Sequence, residues 1–112
     1  DGTPTRELLY VGDAARAIVC AAKKDTDLVP INIGSGTEVS IASLASMIAK
    51  KIGYTGEIVW NTTRPNGQMQ RRLDCSRAKE LLGFEAQIAL DEGLDSTIEW
   101  YRATQEEPAL VA

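Results

Sequence analysis

The sequence predicts an α/β chain of short strands and about four helices, in the order βαβαβαα. Three observations carry this reading. Thr5–Ala17 passes from apolar, β-favouring residues (Leu8, Tyr10, Val11) into a run of small residues beginning at Ala14. Ile41, Leu44, Ala45, Ile48 and Ile52 recur at helical spacing and form one apolar stripe. The strands are short and few for a free-standing sheet, and the helices carry apolar faces that need a partner surface. The chain therefore reads as a single partial domain, residues 1–112, of a larger protein.

Taken in order, the chain opens at Asp1-Gly2-Thr3-Pro4, turn chemistry without a methionine, as expected of a piece of a longer protein. The first strand follows, with Arg6 at its head. Asp13 is the expected N-cap of the first helix, which runs from about Ala14 to Lys24. Asp25 to Pro30 is a polar connection. Ile31-Asn32-Ile33 is the second expected strand, stopped by Gly34-Ser35-Gly36. The second helix has Ser40 as N-cap and Gly53 as its stop. Glu57–Trp60 is the third expected strand. Asn61 to Arg72 is a long polar loop, the most basic part of the chain. Asp74 or Ser76 caps a short helix that Gly83 ends. Leu90, Leu94, Ile98 and Tyr101 mark the last helix, with Trp100 to one side of the stripe, and Glu106 to Ala112 are expected to fray.

Composition narrows the function. A net charge of −4 argues against a nucleic-acid binder working by overall charge. No apolar run is long enough to suggest a membrane span. Histidine is absent, which removes the commonest general base and metal ligand. Cys20 and Cys75 form no C-x-x-C pair, so no metal site is expected, and a disulfide between them stays open. The expected compartment is a reducing cytoplasm.

Four features could carry chemistry. Gly34-Ser35-Gly36 has the look of a phosphate-cradling turn, but Val39 and the missing acidic residue downstream favour a simple tight turn. Asp13, Asp74 and Asp91 each sit at a helix start, where capping explains them. Lys23-Lys24 and Lys50-Lys51 read as solvated charge pairs at helix ends. Arg6, Arg64, Arg71 and Arg72 come from two separate segments, and a diphosphate needs planar forks of donors from more than one direction. Spacing alone favours the plainer reading, scattered surface arginines with an ion pair or two.

The residues also carry a resemblance. Arg6-Glu7-Leu8-Leu9-Tyr10-Val11-Gly12-Asp13 resembles the R-x-F-x-[YH]-V-x-D stretch of extended short-chain dehydrogenases/reductases, the NAD(P)-dependent nucleotide-sugar epimerases, dehydratases and reductases. Ile31–Gly36 is similar to their N-[IV]-G-[ST]-G turn. Arg64-Pro65-Asn66-Gly67, then Arg72–Ala78 and Leu82-Gly83-Phe84, is similar to their [RK]-P-x-G…D-x-S-[RK]-A…L-G-[WF] run. Leu90–Leu94 and Thr97–Tyr101 match the final helix. The loop most resembles that of the GDP-L-fucose synthases.

The resemblance implies a C-terminal, substrate-binding segment that lacks most of the Rossmann domain. It implies that Arg6 contacts the diphosphate or sugar of a nucleotide-diphospho-sugar, and that the loop carrying Arg64, Asn66 and Gly67 closes over the nucleotide. Asn66 stands where the fucose synthases carry a substrate-contacting aspartate, Gly12 replaces a second aspartate, and Leu8 replaces the usual aromatic. NAD or NADP would serve the intact enzyme, bound by a missing N-terminal Rossmann domain. This chain has no Tyr-x-x-x-Lys, so no catalytic, cofactor or metal residue is expected in it, and alone it should not catalyse. The implied partners are the sugar nucleotide, the missing domain and a second copy in a homo-oligomer. The alternatives are a detached, non-enzymatic nucleotide-binding module or a truncated product with no function of its own.

Overall fold

The computed structural model describes residues 1–24 and 29–106. Its elements are β1 (Thr5–Glu7), α1 (Val11–Ala22), β2 (Glu38–Ser40), α2 (Ile41–Ile52), β3 (Gln70–Arg71), a five-residue π-helix (Ala78–Leu82) and α3 (Leu90–Glu106). The order is the expected βαβαβαα, but two of the three strands lie elsewhere. β1 is central, antiparallel to β2 and parallel to β3. The register pairs Thr5, Arg6 and Glu7 with Ser40, Val39 and Glu38 on one side. On the other side Thr5 pairs with Gln70 and Arg6 with Arg71.

Two expected strands do not form. Ile31 and Ile33 instead pack on the buried cluster of Ala17, Ala78, Leu82 and Phe84. Their apolar alternation is satisfied by one-sided burial, which needs no ladder. Glu57–Trp60 is also irregular. The Trp60 ring lies over Gly2, where a Cβ would come within 2.9 Å of it, so only glycine fits, and Gly2 adopts φ 78°. The first strand ends at Glu7, and α1 begins at Val11, three residues before the expected start.

That shift changes Asp13. It lies in the first turn of α1, not before it, and Tyr10 is the N-cap, with no side-chain capping bond. Asp13 is 2% exposed. Its Oδ2 accepts from the backbone N–H groups of Gln87 and Ile88, each at 2.9 Å, and its Oδ1 from Arg16 Nη2 at 2.7 Å. It ties α1 to the approach to α3 instead of capping its own helix. Burial alone would raise its pKa. The N–H of Ile88, the Arg16 guanidinium and the N–H of Gln87 outweigh that and hold the carboxyl below its ordinary value.

Most of the other local signals hold. Ser40 Oγ accepts from Ser43 N–H at 3.1 Å, and Gly53 closes α2 at φ 74°. Asp74 Oδ1 accepts from Ser76 N–H at 2.9 Å just ahead of the short helix, but the N-cap of that helix is Arg77, with no side-chain capping bond; Gly83 ends it in the left-handed region, as expected. Lys51 is the exception among the lysine pairs. It is largely buried and bridges Asp91 and Asp95 at 2.9 and 2.7 Å, joining α2 to α3. Cys20 and Cys75 are free thiols. Residues 25–28 of the connection expected at 25–30, and residues 107–112 of the tail expected at 106–112, lie outside the described residues.

The buried core is small, and Val11, Ile18, Val19, Trp100 and Tyr101 stay exposed. The radius of gyration is 17.4 Å, against about 13 Å for a compact domain of this length.

Candidate functional site

β1 sorts its neighbours by the alternation of strand side chains. Thr5 and Glu7 share one face with Glu38, Ser40 and Gln70, and a polar network crosses all three strands there. Thr5 Oγ1 and Gln70 Nε2 both donate to the Glu38 carboxylate at 2.8 Å, and these two bonds hold its pKa below the usual range. Glu7 accepts from the N–H groups of Gly36 at 2.9 Å and Leu73 at 3.0 Å. Thus the glycine turn at 34–36 already receives a carboxylate from within the chain. A Cβ at Gly34 would run into that carboxylate and approach the Cys75 sulfur to 3.0 Å. The turn therefore serves as a packing joint, in keeping with the simpler of its two sequence readings.

Arg6 lies on the opposite face. It is half-buried, and its Nη1 donates to Thr5 O at 2.6 Å. No carboxylate pairs with it among the described residues. A guanidinium has five donors, so most of its hydrogen-bonding capacity is uncommitted.

The loop of Arg64, Asn66 and Gly67 precedes β3. Thr5 N–H donates to Met69 O at 2.8 Å, which lays the end of this segment along the start of β1. Asn66 is half-buried, and its Oδ1 accepts from the Asp1 ammonium at 2.9 Å. Arg64 and Gly67 are exposed. Gly67 has φ 70° and open space around it. The fold thus lays the end of the loop beside β1, the strand of Arg6, while no described hydrogen bond or ion pair joins Arg6 to Arg64 or Asn66.

Two of the concavities among the described residues bear on these elements. One, of about 610 Å³, is lined by Arg72, Asp74, Cys75, Lys79 and Glu85, whose charges balance. Burial, then the charges of Glu7 and Asp74, push the Cys75 thiol up. The other, of about 660 Å³, is an apolar groove between the start of α1 and α3, lined by Leu8, Tyr10, Val11, Leu94 and Trp100. No cluster of metal-ligating side chains occurs among the described residues, and no helix there is long and apolar enough to cross a membrane.

Sequence reasoning missed Glu7 and the true role of Asp13. The only signal for Glu7 was an acidic residue inside a strand, next to the arginine.

No family model matches the chain. It is 36% identical over 114 residues to GDP-L-fucose synthase of Escherichia coli, covering 94% of this chain and 35% of that protein. Against GDP-L-fucose synthase 1 of Arabidopsis thaliana it is 37% identical over 100 residues, covering 89% of this chain and 31% of that one. Among solved structures, UDP-glucose 4-epimerase of Thermotoga maritima with UDP-glucose superposes with a TM-score of 0.86 at 36% identity. That match covers 95% of this chain and 34% of the epimerase. The chain spans about a third of the length of the relatives it matches.

Proposed function

We propose, from the premise that this chain is similar to the C-terminal third of extended short-chain dehydrogenases/reductases and most like the GDP-L-fucose synthases, that it is the nucleotide-diphospho-sugar-binding segment of such an enzyme. The single observation that carries this is Arg6. It is a half-buried guanidinium at the centre of a three-strand sheet, with no carboxylate partner among the described residues. A charge held that way is best satisfied by an anion from outside the chain. Arg64, Asn66 and Gly67 approach from the neighbouring loop and would close over the nucleotide.

In this reading the chain's residues bind and orient. Arg6 and Arg64 meet the diphosphate, Asn66 offers an uncharged amide, and Gly67 lets the loop backbone come close. Energy from this remote part of the substrate fixes the reacting sugar in place. NAD or NADP would supply hydride chemistry from an N-terminal Rossmann domain, and none of this chain's residues is assigned to it. That domain would cover the apolar groove beside Trp100. A solved relative, MoeE5, is in complex with UDP-glucuronic acid and NAD, at 33% identity and a TM-score of 0.83, with 93% of this chain and 35% of that one covered. A cytoplasmic enzyme, self-associated or not, fits the same reading.

Calorimetric titration of the full chain with GDP and UDP tests the reading. Binding that Arg6→Ala weakens tenfold or more is expected, since a charge-assisted bidentate contact contributes about 1.5–3 kcal/mol. No binding of either nucleotide by the unaltered chain at millimolar concentration would refute it.

A further inference from the structure

Of the three arginines in the 64–72 segment, the strand register selects one as the companion of Arg6. β3 runs parallel to β1, with Arg71 directly beside Arg6. Register partners on adjacent strands project to the same face. The opposite face is fixed independently by the bonds from Thr5 and Gln70 to Glu38. Arg6 and Arg71 thus stand side by side, with Val39 completing the row on the far side of Arg6. Arg71 is exposed, and no described ion pair or hydrogen bond engages its side chain. Like charges on paired residues destabilise a sheet, and neighbouring strands are only about 4.8 Å apart. Such a pair without a counter-charge is satisfied by an anion bridging both forks.

Arg72, one residue on, falls on the other side. Its charge helps lower the pKa values of Glu38 and Asp74, and it lines the charge-balanced cleft with Cys75. No described ion pair engages Arg72 either, so the choice between the two arginines rests on the register.

We propose that Arg71 is a further diphosphate-binding residue, paired with Arg6 across the β1–β3 ladder, and that Arg72 takes no part. This rests on the function proposed above and adds a residue to that site. The contact would be with phosphate oxygens, so it would not distinguish the base.

The test is titration of the full chain with inorganic pyrophosphate, UDP and GDP, in parallel for Arg71→Gln, Arg71→Lys, Arg72→Gln and Arg6→Ala. Arg71→Gln is expected to weaken all three ligands alike by about tenfold, equivalent to about 1.4 kcal/mol. Arg71→Lys should recover part of the loss, because it keeps the charge but not the fork. Arg72→Gln should bind as the unaltered chain does. Loss on Arg6→Ala with none on Arg71→Gln overturns the role of Arg71 and leaves the nucleotide-binding reading standing. Equal losses on Arg71→Gln and Arg72→Gln also overturn it, since general charge would then explain both. Failure of the unaltered chain to bind any of the three overturns both.

Discussion

Replacing Asp13 should remove one of the main supports of the fold. Its carboxylate is 2% exposed and accepts three hydrogen bonds, two of them from backbone groups 74 and 75 residues further along. A hydrogen bond to a charged group contributes about 1.5–3 kcal/mol. Taking the low end for the Gln87 and Ile88 N–H groups gives about 3 kcal/mol. Arg16 is 33% exposed, so its ion pair is screened and adds about 1 kcal/mol. Asp13→Ala should therefore cost about 4 kcal/mol, within the 3–5 kcal/mol range for breaking a buried pair. Asp13→Asn keeps the shape and one acceptor oxygen, so it should cost about half as much, ~2 kcal/mol. Urea denaturation of the full chain, followed by circular dichroism, measures both.

The pH dependence gives an independent check. The folded-state pKa of Asp13 lies below its unfolded value. Its contribution is therefore fully present above the ordinary carboxylate range near 4 and is lost as pH falls through the lower, folded pKa. The stability gap between the unaltered chain and Asp13→Asn should be constant from pH 7 to about 5 and narrow below about 4. A gap under about 1 kcal/mol at pH 7, or one that stays constant into strong acid, would refute this account of Asp13.

Two further predictions concern the joint around Glu7. Gly34→Ala should destabilise the chain by about 1–3 kcal/mol, read as a lower melting temperature, because the added methyl displaces a carboxylate held by two N–H groups. The Cys75 thiol should be alkylated by iodoacetamide more slowly at pH 7.5 than a free cysteine, and Glu7→Gln should speed the reaction by removing one of the charges that raise its pKa.

What the sequence disclosed well was local. Ser40, Gly53 and Gly83 act within one or two turns of their own position, so their roles were legible from neighbouring residues. Two of the three strands were not. Three residues are too few to show a period of two, and apolar pairs such as Ile31 and Ile33 serve equally well in one-sided packing. Asp13 was misread because a capping aspartate and one that binds a distant loop look identical in sequence. Only the fold, by bringing residues 87 and 88 to α1, distinguishes them. At the candidate site, Arg6 and its loop were nominated by resemblance to other chains. The choice between Arg71 and Arg72 was not, because it depends on which residue aligns with Arg6 in the ladder.

The alternation along β1 has an evolutionary consequence. Within three consecutive residues, the odd positions are committed to architecture, since Thr5 and Glu7 hold the neighbouring strands and turns together. The even position, Arg6, faces the other way, and among the described residues its side chain donates only to its own preceding carbonyl. Under the proposed function, substitutions at residues 6, 39 and 71 would shift ligand preference without disturbing the scaffold's hydrogen bonds. A lineage could exchange one anionic substrate for another by substitutions on a single face, and a library randomised at those three sites should keep its foldedness while its selectivity spreads.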